Sequence, residues 1–515
     1  MHTQSPAIAE APSHTTEARE VETLIFGGGI CGIAAAIGLQ RAGIDDFVII
    51  ERSDDIGGTW HHNTYPGCAC DIPSHVYSFS FAMNPDWSRV FSPQPEIKEY
   101  VADVVARHRL APNCELNTEV LHSSWNDELQ RWVVTTDRGS YHARFFVVAA
   151  GPLHEPIIPA LPGLDTFEGQ TFHSSQWPAD ADLTGRRVVV VGSGASAIQF
   201  VPAIAPQVEA MTVIQRTPSW VMPKPDWSTS KLERALLRRF PALLTLVRWG
   251  LWAPMDVFFL AATRSPRFAR TTSVVSRMSM RRHIKDPQMR KDLTPTYAPT
   301  CKRLGLSNDF YPALARPNVE LVTSPAAEVR PDSVITADGR KLDADTIIFG
   351  TGFHTLPHHP VGKRIRGRAG KTLTETWNGN PEAFMGRSMT GFPNAFIMFG
   401  PNAGTLSGFV MAEAQTDYLV GAITTARREG LSSIDVRPEA QSAFVDEVDG
   451  ILKNSTFALG GCDSYYLGDG GRVALVWPWS MATLRRKLAK FDLAPYTRRR
   501  SADGRISAVG SAVPR

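Results

Sequence analysis

The sequence predicts an α/β protein with two Rossmann-like dinucleotide-binding domains and an inserted helical subdomain. Two glycine-rich turns, at 27–32 and 192–197, each follow an apolar strand and precede a helix. Between about 223 and 300 the second pattern is interrupted by basic, Leu-rich and Met-rich helical sequence. At 515 residues the chain also exceeds the size at which one hydrophobic core stops growing. We therefore expect two or three domains.

The first turn reads Gly-Gly-Gly-Ile-Cys-Gly and stands between a strand at 21–26 and a helix over 30–41. The next strand, at 47–50, ends at Glu51, which suits an acid that binds the ribose hydroxyls of an adenosine. The glycines let the backbone approach a pyrophosphate at the helix N-terminus. The residues predicted to bind this dinucleotide are Gly27, Gly29, Gly32 and Glu51.

The second turn follows a strand at 187–191, and the strand after it, at 211–215, ends at Arg216 instead of an acid. A carboxylate there would repel a 2′-phosphate, whereas a guanidinium can bind one bidentately. The sequence therefore predicts FAD in the first site and NADPH in the second, with a plain surface charge as the alternative for Arg216. The turn residues predicted to bind NADPH are Gly192, Gly194, Ser196 and Ala197.

The domain order follows from two further apolar segments, at 145–151 and 345–353, which are typical of strands that close a nucleotide-binding unit. A proline-rich connector at 152–162 separates the two units. The predicted order is a mobile tail at 1–20, the first part of the FAD domain at 21–165, the NADPH domain at 166–381 with the helical insertion at about 223–300, the second part of the FAD domain at 382–497, and a mobile tail at 498–515.

Composition narrows the class of protein further. A net charge of +3 is too small to indicate a nucleic-acid partner. The six cysteines have no CxxC spacing, so we expect free thiols in a reducing cytoplasm, and 1–20 lacks the pattern of a secretory signal. The apolar stretch 240–263 is broken by Arg248, Pro254 and Asp256, which predicts buried or partly exposed amphipathic helices. These interruptions argue against membrane contact, although a monotopic contact stays open.

A third motif lies just ahead of the second glycine turn and reads F-x-G-x-x-x-H-x-x-x-W-P, carried by Phe167, Gly169, His173 and Trp177. Together with the two turns, it resembles the signature of the type I Baeyer–Villiger monooxygenases, and the resemblance covers about 20–495. Further motifs that match the family are Gly57-Gly58-Thr59-Trp60, Tyr65-Pro66-Gly67 with Asp71, Arg216-Thr217-Pro218-Ser219-Trp220, and Lys302-Arg303.

The resemblance implies an enzyme that inserts one oxygen atom of O2 beside a ketone carbonyl, through a flavin peroxide, to give an ester or lactone. Arg303 would stabilise the peroxide anion and the adduct oxyanion, and Asp71 would orient that arginine. Arg216, Thr217 and Lys302 would meet the NADPH phosphate. The residues that the family places at the flavin correspond to Gly58, Thr59, Trp60, Tyr65, Asp71, Val120 and Met411.

Other interpretations stay open at single positions and for the whole chain. Trp60, Tyr65 and Val120 are also explained by core packing, and Arg303 by a surface ion pair. For His173 and Trp177 we favour a hinge that couples domain motion to NADPH binding over acid–base catalysis, with simple packing as the alternative.

Two segments depart from the family pattern: 149–151 lacks the usual Thr, and 403–408 lacks the usual Gly-His. Trp477-Pro478 resembles a family loop that closes over the pocket. The nearest rival is a flavin-containing monooxygenase that oxygenates nitrogen or sulfur, which usually has Tyr at the end of the linker motif. A disulfide reductase would need a redox CxxC, and a non-enzymatic nucleotide-binding scaffold is the remaining class.

Overall fold

The computed structural model describes residues 17–500. The predicted tails therefore lie mostly outside the described residues, at 1–16 and 501–515. Where they overlap the described part the prediction is wrong, because the first strand already begins at Arg19 and the last one ends at Arg500.

The strands alternate with helices through both halves of the chain. In order, the strands are β1 (Arg19–Phe26), β2 (Phe47–Ile50), β3 (Cys114–Glu115), β4 (Val120–Asn126), β5 (Arg131–Thr136), β6 (Gly139–Val148), β7 (Gln170–His173), β8 (Arg187–Val191), β9 (Ala210–Ile214), β10 (Val221–Met222), β11 (Gly305–Leu306), β12 (Val319–Val322), β13 (Ala326–Arg330), β14 (Ser333–Thr336), β15 (Lys341–Asp343), β16 (Thr346–Phe349), β17 (Ile365–Arg366), β18 (Ala395–Ile397), β19 (Leu431–Val436) and β20 (Tyr496–Arg500).

The helices flank these strands and also form a separate group between β10 and β11. In order, they are α1 (Ile30–Arg41), α2 (Thr59–His62), α3 (Gln94–Arg107), α4 (Ala195–Ile204), α5 (Lys231–Arg239), α6 (Pro241–Arg264), α7 (Pro266–His283), α8 (Pro287–Asp292), α9 (Phe310–Leu314), α10 (Leu373–Trp377), α11 (Gly408–Arg428), α12 (Pro438–Leu452), α13 (Thr456–Leu459) and α14 (Met481–Leu488).

The first sheet has the order β17-β4-β5-β6-β1-β2-β3, with β18 also paired to β6. Its centre is parallel: Thr23 of β1 stands opposite Phe47 of β2 and Phe145 of β6. The strands β4, β5 and β6 extend the sheet as antiparallel neighbours. Because β17 joins β4 at 365–366, the chain returns to this sheet earlier than the predicted boundary at 382.

The second sheet is parallel throughout and has the order β12-β9-β8-β16-β7. Its edge strand β7 is built from the linker motif, so that motif belongs to the second nucleotide-binding unit. The β-α-β order of each sheet places one glycine turn at the carboxyl ends of its strands, where ligands of such sheets bind. The predicted fold class is confirmed.

The helices α5 to α8 form the predicted insertion. Among residues 17–500, α6 is the helix whose length and composition would suffice to cross a membrane, with a mean hydropathy of 1.3 over 18 residues, of which 22% are buried. A helix of that hydropathy in a protein core would be mostly buried, so α6 presents much of its apolar surface outward.

Candidate active site

The first glycine turn is shaped by two positions that admit no side chain. Gly27 has φ +113°, and a Cβ there would lie 2.6 Å from the carbonyl oxygen of Ala149. A Cβ at Gly32 would lie 2.0 Å from the carbonyl oxygen of Gly27. Gly29 caps the N-terminus of α1. The amide end of α1 therefore stays open to an anionic group such as a phosphate.

Glu51 follows β2 and lies beside this turn. Its carboxylate accepts hydrogen bonds from the backbone N–H of Gly28 at 2.7 Å and of Ser53 at 2.9 Å. The side chain is buried apart from the cavity that it lines. These bonds hold the carboxylate at the place where the sequence predicts an adenosine ribose.

The second turn repeats the backbone geometry of the first. Gly192 has φ +108°, and a Cβ there would lie 2.5 Å from the carbonyl oxygen of Gly350, while Gly194 caps α4. Ala197 stands where the first turn has its last glycine. A Cβ added to Gly350 would be 3.5 Å from the Cβ of Ala197. Because Gly350, just after β16, has no side chain, there is space for the Ala197 methyl group.

A continuous cavity of about 1040 Å³ joins the two turns. Most of the residues predicted from the sequence lie on its wall, although they come from segments up to 384 residues apart. These residues are Gly27, Gly29, Glu51, Gly58, Thr59, Trp60, Tyr65, Asp71, Val120, Gly192, Gly194, Ser196, Arg216, Thr217, Lys302, Arg303 and Met411. Gly32 and Ala197 lie behind the wall and act by packing.

Arg303 and Asp71 form a bidentate ion pair on this wall. The guanidinium donates from Nε to Oδ2 at 2.6 Å and from Nη2 to Oδ1 at 2.5 Å. The arginine side chain keeps 40% of its surface open toward the cavity. The Asp71 charge raises the pKa of Arg303, and although burial opposes ionisation of Asp71, the guanidinium holds the pKa of Asp71 below its usual value. Both groups are therefore charged at neutral pH.

Two tyrosines that the sequence analysis missed stand beside this pair. The hydroxyl of Tyr465 donates to that of Tyr466 at 2.9 Å, and Tyr465 lines the cavity. Burial and the neighbouring Tyr466 raise the pKa of Tyr465, while the charge of Arg303 opposes the shift. No motif marks these residues, because they reach the site only through a long-range contact.

That contact includes a disulfide between Cys301 and Cys462, which are 161 residues apart. The expectation of free thiols is therefore wrong for these two cysteines, although Cys31, Cys68, Cys70 and Cys114 are free. The bond joins the segment that carries Lys302 and Arg303 to the segment that carries Tyr465. It fixes the two walls of the cavity to each other.

The predicted phosphate-binding residues stand at the end of β9. Arg216 and Thr217 are exposed there, and Arg216 has no ion-pair partner among residues 17–500. Burial lowers the pKa of Lys302, and the nearby charge of Arg216 lowers it further. The charge of Asp463 acts in the opposite direction. Two cations on the same stretch of cavity wall form a suitable binding place for a phosphate dianion, with Asp463 as the nearby anion that acts on Lys302.

Contact between the two nucleotide-binding units runs through Tyr65 and Gln199. The Tyr65 hydroxyl donates to Oε1 of Gln199 at 2.8 Å, and Nε2 of Gln199 donates to the carbonyl oxygen of Ala69 at 2.9 Å. Gly67 has φ +80°, and a Cβ there would lie 2.6 Å from the carbonyl oxygen of Gln199. The Tyr-Pro-Gly motif thus seats the first unit on α4 of the second, and Gln199 is a partner that the sequence analysis did not name.

The linker motif stands outside the cavity wall. His173 is fully buried, its Nδ1 accepts a hydrogen bond from the backbone N–H of Ser175 at 3.2 Å, and its ring lies 5.2 Å from that of Phe353, which does line the cavity. Burial lowers the pKa of His173 to about 4. Trp177 packs between Phe172 and α4. This placement argues against acid–base catalysis by His173, and the hinge role stays a prediction.

Met411 and Trp477, both expected near the pocket, lie in different places. Met411 of α11 is buried against the cavity, with Thr405 and Leu406 of the departing segment 403–408 beside it. Trp477 instead is fully buried in the core, where its ring packs near Phe444 and Trp479, and it does not line the cavity. The prediction that Trp477-Pro478 closes the pocket is not met in this conformation.

Two glycine turns that open onto one cavity are the arrangement expected of an oxidoreductase with two dinucleotide sites. In agreement, residues 24–245 match the family model of the pyridine nucleotide-disulphide oxidoreductases. The chain is 43% identical over 498 residues to a Baeyer–Villiger monooxygenase of Streptomyces coelicolor, covering 96% of each, and 39% identical to one of Pseudomonas aeruginosa, covering 96% of this chain and 94% of that one.

The same relationship appears in three dimensions. A crystal structure of cyclohexanone monooxygenase from Rhodococcus sp. Phi1, bound to NADP+, superposes with a TM-score of 0.85 at 28% identity and covers 94% of this chain and 100% of that one. The chain belongs to the Baeyer–Villiger monooxygenase family, and the resemblance read from its motifs is confirmed.

Proposed function

We propose a division of roles in which the first turn binds FAD, the second binds NADPH, and Arg303 stabilises the negative charge that develops while a ketone is oxidised. The chain is an FAD- and NADPH-dependent Baeyer–Villiger monooxygenase, as its family membership establishes. The observation that supports the assignment of roles is the Arg303–Asp71 pair, which opens onto the cavity between the two turns.

The residues present fit both cofactors. The first turn offers an open helix N-terminus and a buried acid, and the second offers an open helix N-terminus and exposed cations. When bound, the flavin, reduced by NADPH, activates dioxygen as the donor of one oxygen atom, and the second oxygen atom leaves as water. Glu51 would hold the FAD ribose, while Arg216, Thr217 and Lys302 would hold the 2′-phosphate of NADPH.

Arg303 would supply a fixed positive charge where the ketone oxygen becomes an oxyanion. Its high pKa means that it holds the anion without giving up its proton. Asp71 fixes the direction of the guanidinium through two hydrogen bonds, and Tyr465 lines the cavity beside the pair. A charge that is oriented before reaction costs no reorganisation when the oxyanion forms.

The substrate is a small-molecule ketone, and cyclic ketones are the first class to test because similar structures include cyclohexanone and steroid monooxygenases. The experiment supplies NADPH and O2 with cyclic, linear and aryl ketones, and records oxygen uptake and product identity. We expect an ester or lactone in proportion to the NADPH consumed. Sulfoxide or N-oxide from added sulfides or amines without any ester would favour the rival flavin-containing monooxygenase, and hydrogen peroxide alone would reject both. The predicted location in the cytoplasm is tested by fractionating cells that express the protein.

A further inference from the structure

Helix α6 buries charged side chains and exposes apolar ones, the reverse of the usual pattern for a helix at the protein surface. Its buried stripe contains Leu244, Arg248, Trp252 and Asp256 at four-residue intervals. Arg248 donates to the backbone carbonyls of His75 and Ser78, both at 2.9 Å, and Asp256 accepts from the backbone N–H of Met481 at 3.0 Å. The charges that interrupt the apolar sequence therefore point into the protein.

The outward face of α6 is apolar as a result. Leu246 and Val257, which share this face, are each 67% exposed, and Trp249 is 50% exposed. The neighbouring helices continue the surface: Leu232 of α5 is 70% exposed, Met278 of α7 is 66% exposed, and the rings of Phe258 and Phe268 lie 5.8 Å apart across α6 and α7. Soluble monomers rarely expose contiguous apolar patches of this kind without a partner.

This concentration is not a general feature of the molecule. Within residues 17–500, twelve of the eighteen exposed large hydrophobic side chains lie between 231 and 283, about a tenth of the chain. We call this surface the α5–α7 face. None of its residues lines the cavity between the glycine turns, so the face is separate from the active site.

The charge of the same segment indicates what covers the face. Residues 231–285 contain twelve lysines and arginines but two carboxylates, whereas the whole chain has 54 basic and 51 acidic residues. One of those two carboxylates is the buried Asp256. Arg267 and Arg270 at the start of α7 and Arg281 and Arg282 at its end are exposed and make no ion pair among residues 17–500.

An apolar face bordered by unpaired cations is the pattern of a protein that lies on an anionic membrane surface. A second copy of this chain would bring an equally basic segment against the first, and like charges would oppose such a dimer. We propose that the α5–α7 face docks the enzyme on an anionic lipid bilayer, such as a cytoplasmic leaflet. Docking would also give the enzyme access to ketones that dissolve in lipid.

The test measures cosedimentation of the FAD-loaded enzyme with lipid vesicles. One set contains phosphatidylcholine alone and the other also contains about 30% phosphatidylglycerol. We expect binding to the anionic vesicles to be at least about tenfold stronger, and to fall when the salt concentration is raised, because the cations contribute through screened electrostatics.

Two variants separate the two components of the face. Leu246→Ser with Val257→Ser removes exposed apolar side chains, and Arg267→Gln with Arg270→Gln and Arg282→Gln removes exposed charge. Each should weaken vesicle binding about tenfold or more. Leu121→Ser with Leu129→Ser is the matched control, because these side chains, on β4 and in the β4–β5 turn, are 48% and 49% exposed away from the α5–α7 face, and it should bind like the parent.

Ketone turnover without vesicles should be equal in all of these proteins, so a failure of docking is distinguishable from a failure of the proposed catalysis. Equal binding of the parent enzyme to neutral and anionic vesicles would overturn the proposal. So would an oligomer in light scattering that dissociates in the Leu246→Ser, Val257→Ser protein while the parent ignores vesicles, since the face would then join two copies.

Discussion

The two glycine turns share one backbone geometry but are followed by residues of opposite charge. At both Gly27 and Gly192 a positive φ brings the chain against the carbonyl oxygen of a neighbouring strand end. The first turn is followed by Glu51, buried and fixed by two backbone N–H groups, whereas the second is followed by Arg216, exposed and without an ion-pair partner in the described part of the chain. On the proposed assignment, the turn would hold the pyrophosphate, and the residue after the next strand would distinguish FAD from NADPH.

The difference also suits the two roles in turnover. On the proposed assignment, a buried acid with a fixed orientation would suit a cofactor that stays bound, such as FAD. An exposed arginine beside Lys302 would suit a coenzyme that enters and leaves in each cycle.

The largest effect is expected at the last position of the turns. In Gly32→Ala the new Cβ would overlap the carbonyl oxygen of Gly27, at 2.0 Å, so the turn must open. We expect the purified protein to keep less than about a tenth of its FAD, measured by flavin absorbance per protein. Ala197→Gly is the matched control in the second turn and should keep its FAD. If Gly32→Ala retains FAD and activity, the close approach in the first turn is not required.

Arg303→Ala tests the arginine on the wall of the cavity that joins the two glycine turns. Loss of a group that stabilises a developing oxyanion costs on the order of 100-fold or more in rate. We expect FAD to stay bound, ester formation to fall by that factor, and NADPH consumption to yield hydrogen peroxide instead.

Asp71→Ala should show the same defect in milder form, because the arginine keeps its charge but loses its two orienting bonds. A normal ester yield in Arg303→Ala would remove this residue from the mechanism and direct attention to Lys302. Product analysis by gas chromatography and a peroxide assay on the same samples give both readouts.

Arg216→Ala should have a smaller effect that is confined to the second site. Loss of charge-assisted bonds to the 2′-phosphate is expected to raise the KM for NADPH about 10- to 100-fold while leaving that for NADH nearly unchanged. The bound FAD should be unaffected. Equal changes for both coenzymes would contradict the phosphate assignment, and initial rates with each coenzyme decide between the outcomes.

Local patterns in the sequence were sufficient to predict the strands and helices on either side of the glycine turns. The predicted bounds 30–41, 47–50 and 187–191 agree with α1, β2 and β8, since apolar periodicity and adjacent glycines act over a few residues. The early return of the chain at β17 was missed because a strand of two residues has no periodicity to detect.

Long-range contacts account for the other differences. Tyr465 and the Cys301–Cys462 disulfide reach the site from distant segments that share no motif. In α6 the charges of Arg248 and Asp256 indicated a helix unsuited to membranes, but which face carries them is decided only by their buried partners on other segments. The chemistry of the site was therefore predictable where motifs carry it, and its packing was not.

The smallest expected effect is on the pH dependence of stability. It comes from one buried histidine in each unit, His173 and His359. Burial lowers the pKa of His173 to about 4 and, together with His154, that of His359 to about 3, while both are nearer 6.5 in an unfolded chain. The unfolded state therefore binds more protons, so the free energy of unfolding should be unaffected above pH 7.5 and fall as the pH drops below about 7, by on the order of 2 kcal/mol per histidine at pH 5. Urea denaturation at pH 7.5, 6 and 5 measures this slope, which His173→Gln or His359→Gln should each reduce and the exposed-site control His358→Gln should leave unchanged. If the slope survives in one of the two buried-site variants alone, the proton uptake belongs to the other unit, and if both variants keep it, neither histidine is buried in its neutral form.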